Sequence, residues 1–491
     1  MNVMKRSYAW LALIVILIIA TFLRFYHLTT TPPGLYPDEA MNGNNAAEVA
    51  RTNQFKVYYP ENNGREGLFI DIQALMLKAG MPHEAWVLRL PSAVAGVATI
   101  LGIYLLVAEL FGTGTGLLAS FLLATSFWHI NFSRIGFRAI LAPLFLAWAL
   151  YLLIKAYQSV LSHKAFWLAA VAGVVYALGF YTYIAYRVTP LLFLLFIPFF
   201  AKKYPDFWKR TFVFIAVTFL IAAPIGWYYM RNPADFFGRT TQIAVTNTSN
   251  PVIAFGTNVA KELGMFNFRG DGNWRHNVAD APELFWPVGI LFLAGILIGL
   301  RSVFIKSDWW QRSETLFAWL LTFGWFALAI LPAAASDEGL PHALRSILML
   351  PPAIIFAAAG GAWIYGLIRT QSAIIAKCMA ALFLIGAALF AYYDYFIIWG
   401  ENPNVQGAFT SPFVTIGREI NALPVSTPKY VVVEAGGVMA RGIPVPAETT
   451  IFITNTFLPD EQAAKNVHYL LPDQVNQIPA GTPSSTIFHI R

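Results

Sequence analysis

Lys5-Arg6-Ser7-Tyr8-Ala9-Trp10-Leu11-Ala12-Leu13-Ile14-Val15-Ile16-Leu17-Ile18-Ile19-Ala20-Thr21-Phe22-Leu23-Arg24 places two cations before an apolar run and another cation after it. The run approaches the roughly 17–25 residues that a helix needs to cross a hydrocarbon core. No small-x-small cleavage pattern follows it, so it reads as a retained first helix rather than a removed signal. Similar runs recur at 87–110, 116–130, 140–157, 166–184, 188–200, 212–229, 285–300, 316–332, 347–368 and 373–398. Composition supports the same reading, with 57% of the 491 residues apolar and 12% charged. A soluble domain carries roughly 25% charge because its surface faces water. Lipid removes that need, which excludes a soluble fold of this length. The fold expected is an all-α polytopic membrane protein of about eleven transmembrane helices.

The net charge of +7 raises nucleic acid as a partner, but basic residues flank membrane helices by rule. With the N-terminus inside and the loops alternating, Lys5, Arg6, Lys155, Lys164, Lys202, Lys203, Lys209, Arg210, Arg301, Lys306, Arg312, Arg369 and Lys377 all fall on short inside segments. Few acids join them (Asp206, Asp308, Glu314). Trp86, Trp167, Trp208, Trp227, Trp286, Trp309, Trp310 and Trp399 fall near span ends, as an interfacial belt requires. The expected location is the plasma membrane, with the N-terminus cytoplasmic. The single cysteine, Cys378, lies in the last run and allows no intramolecular disulfide.

The organisation expected is a membrane module over 1–398, with outside loops at 25–85 and 230–284, and a small extracytoplasmic α/β domain over 399–491. The tail carries strand-like runs at 430–434, 450–454, 467–471 and 486–490 and a helical stretch at 459–466. No internal repeat or low-complexity segment interrupts the chain.

Chemistry concentrates in the outside segments. Pro32-Pro33-Gly34-Leu35-Tyr36-Pro37-Asp38-Glu39-Ala40 follows the first span. Pro37 suits a helix start and Asp38 an N-cap. A helix from 38 to about 51 puts Asn42 and Asn45 on the face of Asp38. The helix dipole favours an ionised Asp38. For one Asp-Glu pair alone, a plain capping aspartate is the better bet; several converging groups would make a site. The short outside loops carry Arg134, Arg138, Arg187, His342 and Arg345. A lone arginine at headgroup depth mostly snorkels to lipid phosphate; several converging ones would grip a phosphate leaving group bidentately.

Phe268-Arg269-Gly270-Asp271-Gly272-Asn273-Trp274-Arg275-His276-Asn277 reads equally as a sugar contact or an ordered turn. His129, in an apolar run, reads as a satisfied helix histidine. The sequence has no clustered Cys/His spacing for zinc, no Walker loop and no Gly-x-Gly-x-x-Gly after a strand. A transferase built this way takes its donor from lipid rather than from a nucleotide sugar.

With these residues in place, the chain resembles the C-type membrane glycosyltransferases, bacterial family 39-like, relatives of the protein O-mannosyltransferases and the lipid A aminoarabinose transferase. The resemblance rests on Asp38-Glu39 after the first span and Leu88-Arg89-Leu90-Pro91-Ser92 entering the second. It continues with Leu110-Phe111-Gly112, Ser133-Arg134 and the apolar helix ending near Lys155. The family often has His-Pro-Pro where this chain has Gly64-Arg65-Glu66-Gly67, and an Asp where it has Arg138-Ala139-Ile140.

The resemblance implies a sugar transferase using a polyprenyl-phosphate donor and a lipid, glycan or protein acceptor at the membrane, with no nucleic acid. It implies Asp38 as catalytic base or metal-linked carboxylate, with Glu39 beside it. A divalent cation such as Mg or Mn, or none, fits equally. Inverting single displacement is the expected chemistry. Arg138 and Arg345, with Arg134, stabilise the departing phosphate; Arg65, Glu66, Arg187, His342 and Asn42 complete the substrate-binding candidates. A transporter or flippase is the competing class. It calls for paired repeats and intramembrane acids, and the spans contain almost none. A sensor or scaffold with a partner-binding tail is a third class.

Overall fold

The computed structural model describes residues 3–305 and 313–491, so the readings at Lys306, Asp308, Trp309, Trp310 and Arg312 lie outside the described residues. Two compact units emerge. One comprises Met1–Tyr26, Ser92–Ser133 and Arg138–Trp399; the other comprises His27–Pro91, Arg134–Phe137 and Gly400–Arg491.

The first unit is helical. The described residues hold nine helices long and apolar enough to cross a membrane: Ser7–Phe25, Ala85–Phe111, Arg138–Gln158, Ser162–Tyr181, Phe207–Arg231, Trp286–Phe304, Ser313–Ala334, Ile347–Gln371 and Ala373–Trp399. The two remaining apolar runs form the shorter Thr113–Thr125 and Ile184–Phe200. The second of these is mostly a 3-10 helix with Pro190 inside it, which removes a backbone donor. Helices Trp286–Phe304 and Leu350–Gln371 approach so closely that glycine is required. A Cβ on Gly295 would come within 1.8 Å of Phe356 O, and one on Gly360 within 2.1 Å of Leu291 O. Membrane helices, lacking a hydrophobic drive to associate, gain contact area in this way. The last helix leaves Leu382 75% exposed and Leu389 66% exposed, a face suited to lipid. The chain is a multi-pass membrane protein.

The second unit joins the first loop to the tail. Its sheet has three parallel strands in the order Val467–Leu470, Lys429–Val433, Ile487–Ile490. Val431 lies opposite Tyr469 on one side and Phe488 on the other. Parallel strands need crossover connections, supplied on one side by helices Glu448–Thr454 and Pro459–Lys465. From the first loop come helix Pro37–Thr52, the hairpin of Tyr58–Tyr59 with Arg65–Glu66, and helix Leu68–Lys78. Met41 is buried with Val431, Val433, Ile451 and Ile490 in one apolar core, so loop and tail fold as one body.

The strand-like run at 450–454 is instead part of helix Glu448–Thr454. Thr-Thr-Ile-Phe-Ile-Thr is β-branched, but all seven helix residues are buried. Periodicity cannot separate a short buried helix from a strand. The Thr454 hydroxyl donates back to Thr450 O at 2.7 Å, the local bond a threonine makes in a helix. Asn455, at φ 50°, ends the helix.

Candidate functional site

Helix Pro37–Thr52 starts two residues earlier than Asp38 would set as a cap, with Tyr36 in the cap position. Pro37 occupies the first helical position, where its missing N–H costs nothing. Capping falls to Glu39, whose Oε2 accepts from Tyr36 N at 3.1 Å. Glu39 is fully buried and paired with the equally buried Arg89. Arg89 Nε donates to Glu39 Oε1 at 2.9 Å and an Nη to Oε2 at 3.1 Å. Arg89 also donates to Pro32 O and Gly34 O. Gly136 N reaches the same Oε1 at 2.6 Å. All the capacity of Glu39 goes into holding the helix start, the preceding loop and the Arg134–Phe137 segment together. Its structural position is that of an organiser, where the sequence suggested a catalytic neighbour.

Asp38 has the opposite environment. Asp38 is half-buried, and its carboxylate accepts from Asn62 Nδ2 at 2.7 Å. Asn62 sits in a run of left-handed residues, with φ 50° at Asn62, 63° at Asn63 and 81° at Gly64. These residue types tolerate that region at least cost. Behind Asp38, the buried Arg65 donates to Asn42 Oδ1 at 2.8 Å and Asn45 Oδ1 at 2.5 Å. Asn42 donates to Gly136 O at 3.3 Å and Asn45 to Glu61 Oε2 at 2.6 Å. Glu61 also takes Arg441 Nε at 2.8 Å. Burial works to raise Glu61, but Arg441 and Asn45 outweigh it and hold the carboxyl below its usual range. Arg134 is buried and donates to Thr31 O at 2.7 Å. Glu66 is buried in the hairpin opposite Tyr58.

Glu448 is a carboxylate that the sequence reading passed over. It is buried and accepts from Asn44 Nδ2 at 2.6 Å. Burial, the foremost cause, pushes its carboxyl up to about 7 against the Asn44 hydrogen bond and the charge of Arg65. No local pattern announces it, since its partner lies 404 residues away.

The other arginine candidates belong to the helical unit. Arg138 lies over the Tyr183 ring at 5.7 Å. Arg187 donates to Phe236 O and to Tyr229 Oη, and stacks on both rings at 4.2 and 4.8 Å. Arg345 closes its own loop, donating to Ser336 Oγ at 2.8 Å and pairing with Glu338 at 3.1 Å. His342 stands beside the Gly-rich segment, which is an ordered turn. Asp271 Oδ1 accepts from Asn273 N, and Oδ2 from His276 Nδ1 at 2.8 Å and from Ala343 N at 2.9 Å. Burial works to raise Asp271, but the hydrogen bond and charge of His276 bring it below its usual range. Burial is the foremost cause that lowers both His276 and His342. His129 takes up Arg24, with Nδ1 2.7 Å from an Nη, in keeping with a helix histidine that has a partner.

The fold is similar to that of solved structures of other proteins. The model of the dolichyl-phosphate-mannose-protein mannosyltransferase family matches residues 71–228. No curated protein matches by sequence. Among solved structures, the chain is similar to the apo oligosaccharyltransferase of Archaeoglobus fulgidus, with TM-score 0.59 and 13% identity over 92% of this chain. It spans 64% of that protein's length. It is also similar to ArnT of Cupriavidus metallidurans bound to undecaprenyl phosphate, with TM-score 0.58 and 14% identity, covering 96% of this chain and 91% of ArnT. A third is the A. fulgidus oligosaccharyltransferase AglB with an inhibitory peptide and a dolichol-phosphate, at TM-score 0.54, 12% identity and coverages of 97% and 70%.

Proposed function

We propose that this protein transfers a sugar from a polyprenyl-phosphate carrier to an acceptor on the extracytoplasmic face of the membrane. The observation that carries the reading is the contrast at the head of helix Pro37–Thr52. Glu39 is sealed against Arg89, while its neighbour Asp38 is only half-buried on that platform. Preorganised supports of this kind let one side chain act without reorganising. The likeness to proteins solved with undecaprenyl phosphate and with dolichol-phosphate supports a lipid-phosphate donor.

In the proposed step, the acceptor oxygen attacks the anomeric carbon and Asp38 takes the acceptor proton. The carbon–oxygen bond to the phosphate breaks, and the polyprenyl phosphate leaves with the electron pair. One displacement inverts the anomeric centre. The departing phosphate calls for a guanidinium, a role that a planar bidentate donor fills better than an ammonium. Purified protein incubated with a radiolabelled polyprenyl-phosphate sugar and candidate lipid, glycan and peptide acceptors tests the reading. Label should move to an acceptor, with an equivalent of polyprenyl phosphate released. Movement of the intact labelled lipid across a vesicle bilayer, without transfer, would instead make the chain a flippase.

A further inference from the structure

We propose that Asp271, His276 and His342 form a divalent-cation site of zinc type in the helical unit. One ligand atom from each of the three lies within 4.8 Å of the others. Asp271 Oδ2 is 2.8 Å from His276 Nδ1 and 3.8 Å from His342 Nδ1. Ligands about 2.0–2.1 Å from a tetrahedral zinc lie about 3.3 Å apart, and the two separations bracket that value.

The site is built before any cation enters. Asp271 N donates to Glu283 Oε1 at 3.0 Å, and Asp271 takes Asn273 N and Ala343 N. His342 N donates to Glu262 Oε1 at 3.0 Å, and Ser346 Oγ donates to Glu262 Oε2. Backbone bonds thus pin both contributing loops without using either imidazole. Asn273 N holds Oδ1 and Ala343 N holds one lone pair of Oδ2, and the Oδ2 lone pair facing His276 Nδ1 is the one a metal would take.

The alternative is a purely structural Asp271–His276 hydrogen bond with His342 packed ring on ring, 5.0 Å between centroids. That alternative leaves His342 Nδ1 unexplained. It is a buried nitrogen with no hydrogen-bond partner, aimed at the same carboxylate. Such orphans are rare and call for a ligand. The His342 side chain, 17% exposed, supplies an entry route. On binding, the His276 ring proton moves from Nδ1 to Nε2, so that the imidazole coordinates as a neutral ligand. Three protein ligands leave a fourth position for water or an anionic oxygen.

The full-length protein, purified in detergent and stripped with EDTA, is titrated with Co²⁺. The expected result is a four-coordinate visible absorption band saturating at one equivalent and bleached by one equivalent of Zn²⁺. His342→Gln and Asp271→Asn should weaken binding by at least ~100-fold, beyond the 10–100-fold typical of groups behind the ligands. Asp280→Asn, which alters the exposed pair with Arg269 in the same loop, should leave the band intact. Zn²⁺ should raise the melting midpoint of the wild type and of neither ligand variant. The EDTA-treated His342→Gln protein should melt with the wild type, since the His342 contact to Glu262 runs through its backbone. Absence of a saturable band, or a band unchanged in both ligand variants, overturns the site. The readout is binding, so it stands or falls independently of sugar transfer.

Discussion

Asp38 and Glu39 are neighbours of the same chemical type, and their surroundings set them to different tasks. Asp38→Asn keeps the size of the side chain and an oxygen for Asn62 to donate to, so the protein should melt unchanged. Turnover should fall by roughly two to four orders of magnitude, the worth of a positioned base; near-normal turnover would remove Asp38 from the mechanism. Glu39→Gln should do the reverse in kind, leaving Arg89 buried without its counter-charge, at about 3–5 kcal/mol of stability. A melt indistinguishable from wild type would refute that role. Glu448 adds a pH signature. Its folded value of about 7 lies above its ordinary value of 4.5, so the folded state binds the proton more tightly than the unfolded one. The stability it contributes is complete below about pH 4.5 and is lost as pH rises through about 7. At ~1.4 kcal/mol per unit, the full loss is on the order of 3.5 kcal/mol. The wild type should therefore lose stability relative to Glu448→Gln between pH 5 and 8, and parallel melting curves across that range would contradict it. The sequence shows Asp38-Glu39 plainly because the residues are adjacent. It does not show Glu448, whose buried partner is Asn44, nor that Arg89 belongs to Glu39, because pairing over such separations leaves no local spacing.

Helix Pro37–Thr52 was legible because its start signals are local: a proline at the first position and two acids in the first turn. The hairpin beside it was not. Two-residue strands carry no period, and the turn between them is read only through its left-handed residues. That turn positions Asn62 on Asp38, so backbone geometry there reaches the candidate base. Gly64 is the sensitive point. Its φ of +81° disfavours any L side chain, and a Cβ would lie 1.8 Å from the Tyr58 hydroxyl. Gly64→Ala should cost at least about 1–2 kcal/mol from conformation alone and lower turnover by loosening Asn62. Asn63→Gly, at φ +63°, should be tolerated, because glycine adopts that region freely. If Gly64→Ala melted and turned over like the wild type, the turn would have no part in holding Asp38. The helix at 448–454 was misread for a related reason, since β-branched residues buried on every side lose the periodicity that separates the two structures.

At the scale of the whole chain, the apolar runs foretold the helical unit, because each run carries its own evidence in length and composition. The second unit was only half legible. Its tail strands at 429–433, 467–470 and 487–490 show in sequence, yet the core they share with Met41 joins segments some 390 residues apart. Several contacts in the helical unit join residues of different loops. Lys155 bonds Glu109 at 3.2 Å, Lys203 bonds Glu314, and Arg210 donates to Ala156 O and Tyr157 O. Each contact joins residues that alternation assigns to the same side. Ala343 N to Asp271 does so on the opposite side. Which side is cytoplasmic rests on the excess of lysine and arginine in the short loops. The one cysteine, Cys378, is exposed, and Cys378→Ser gives a background free of thiols. In intact cells, a membrane-impermeant maleimide should label Asn63→Cys and Asn404→Cys, both exposed in the loop-and-tail unit. Ser162→Cys, exposed in the short loop beside Lys164, should react only after the cells are opened. The reverse pattern would put the Asp38 carboxylate in the cytoplasm, where the proposed extracytoplasmic transfer could not take place.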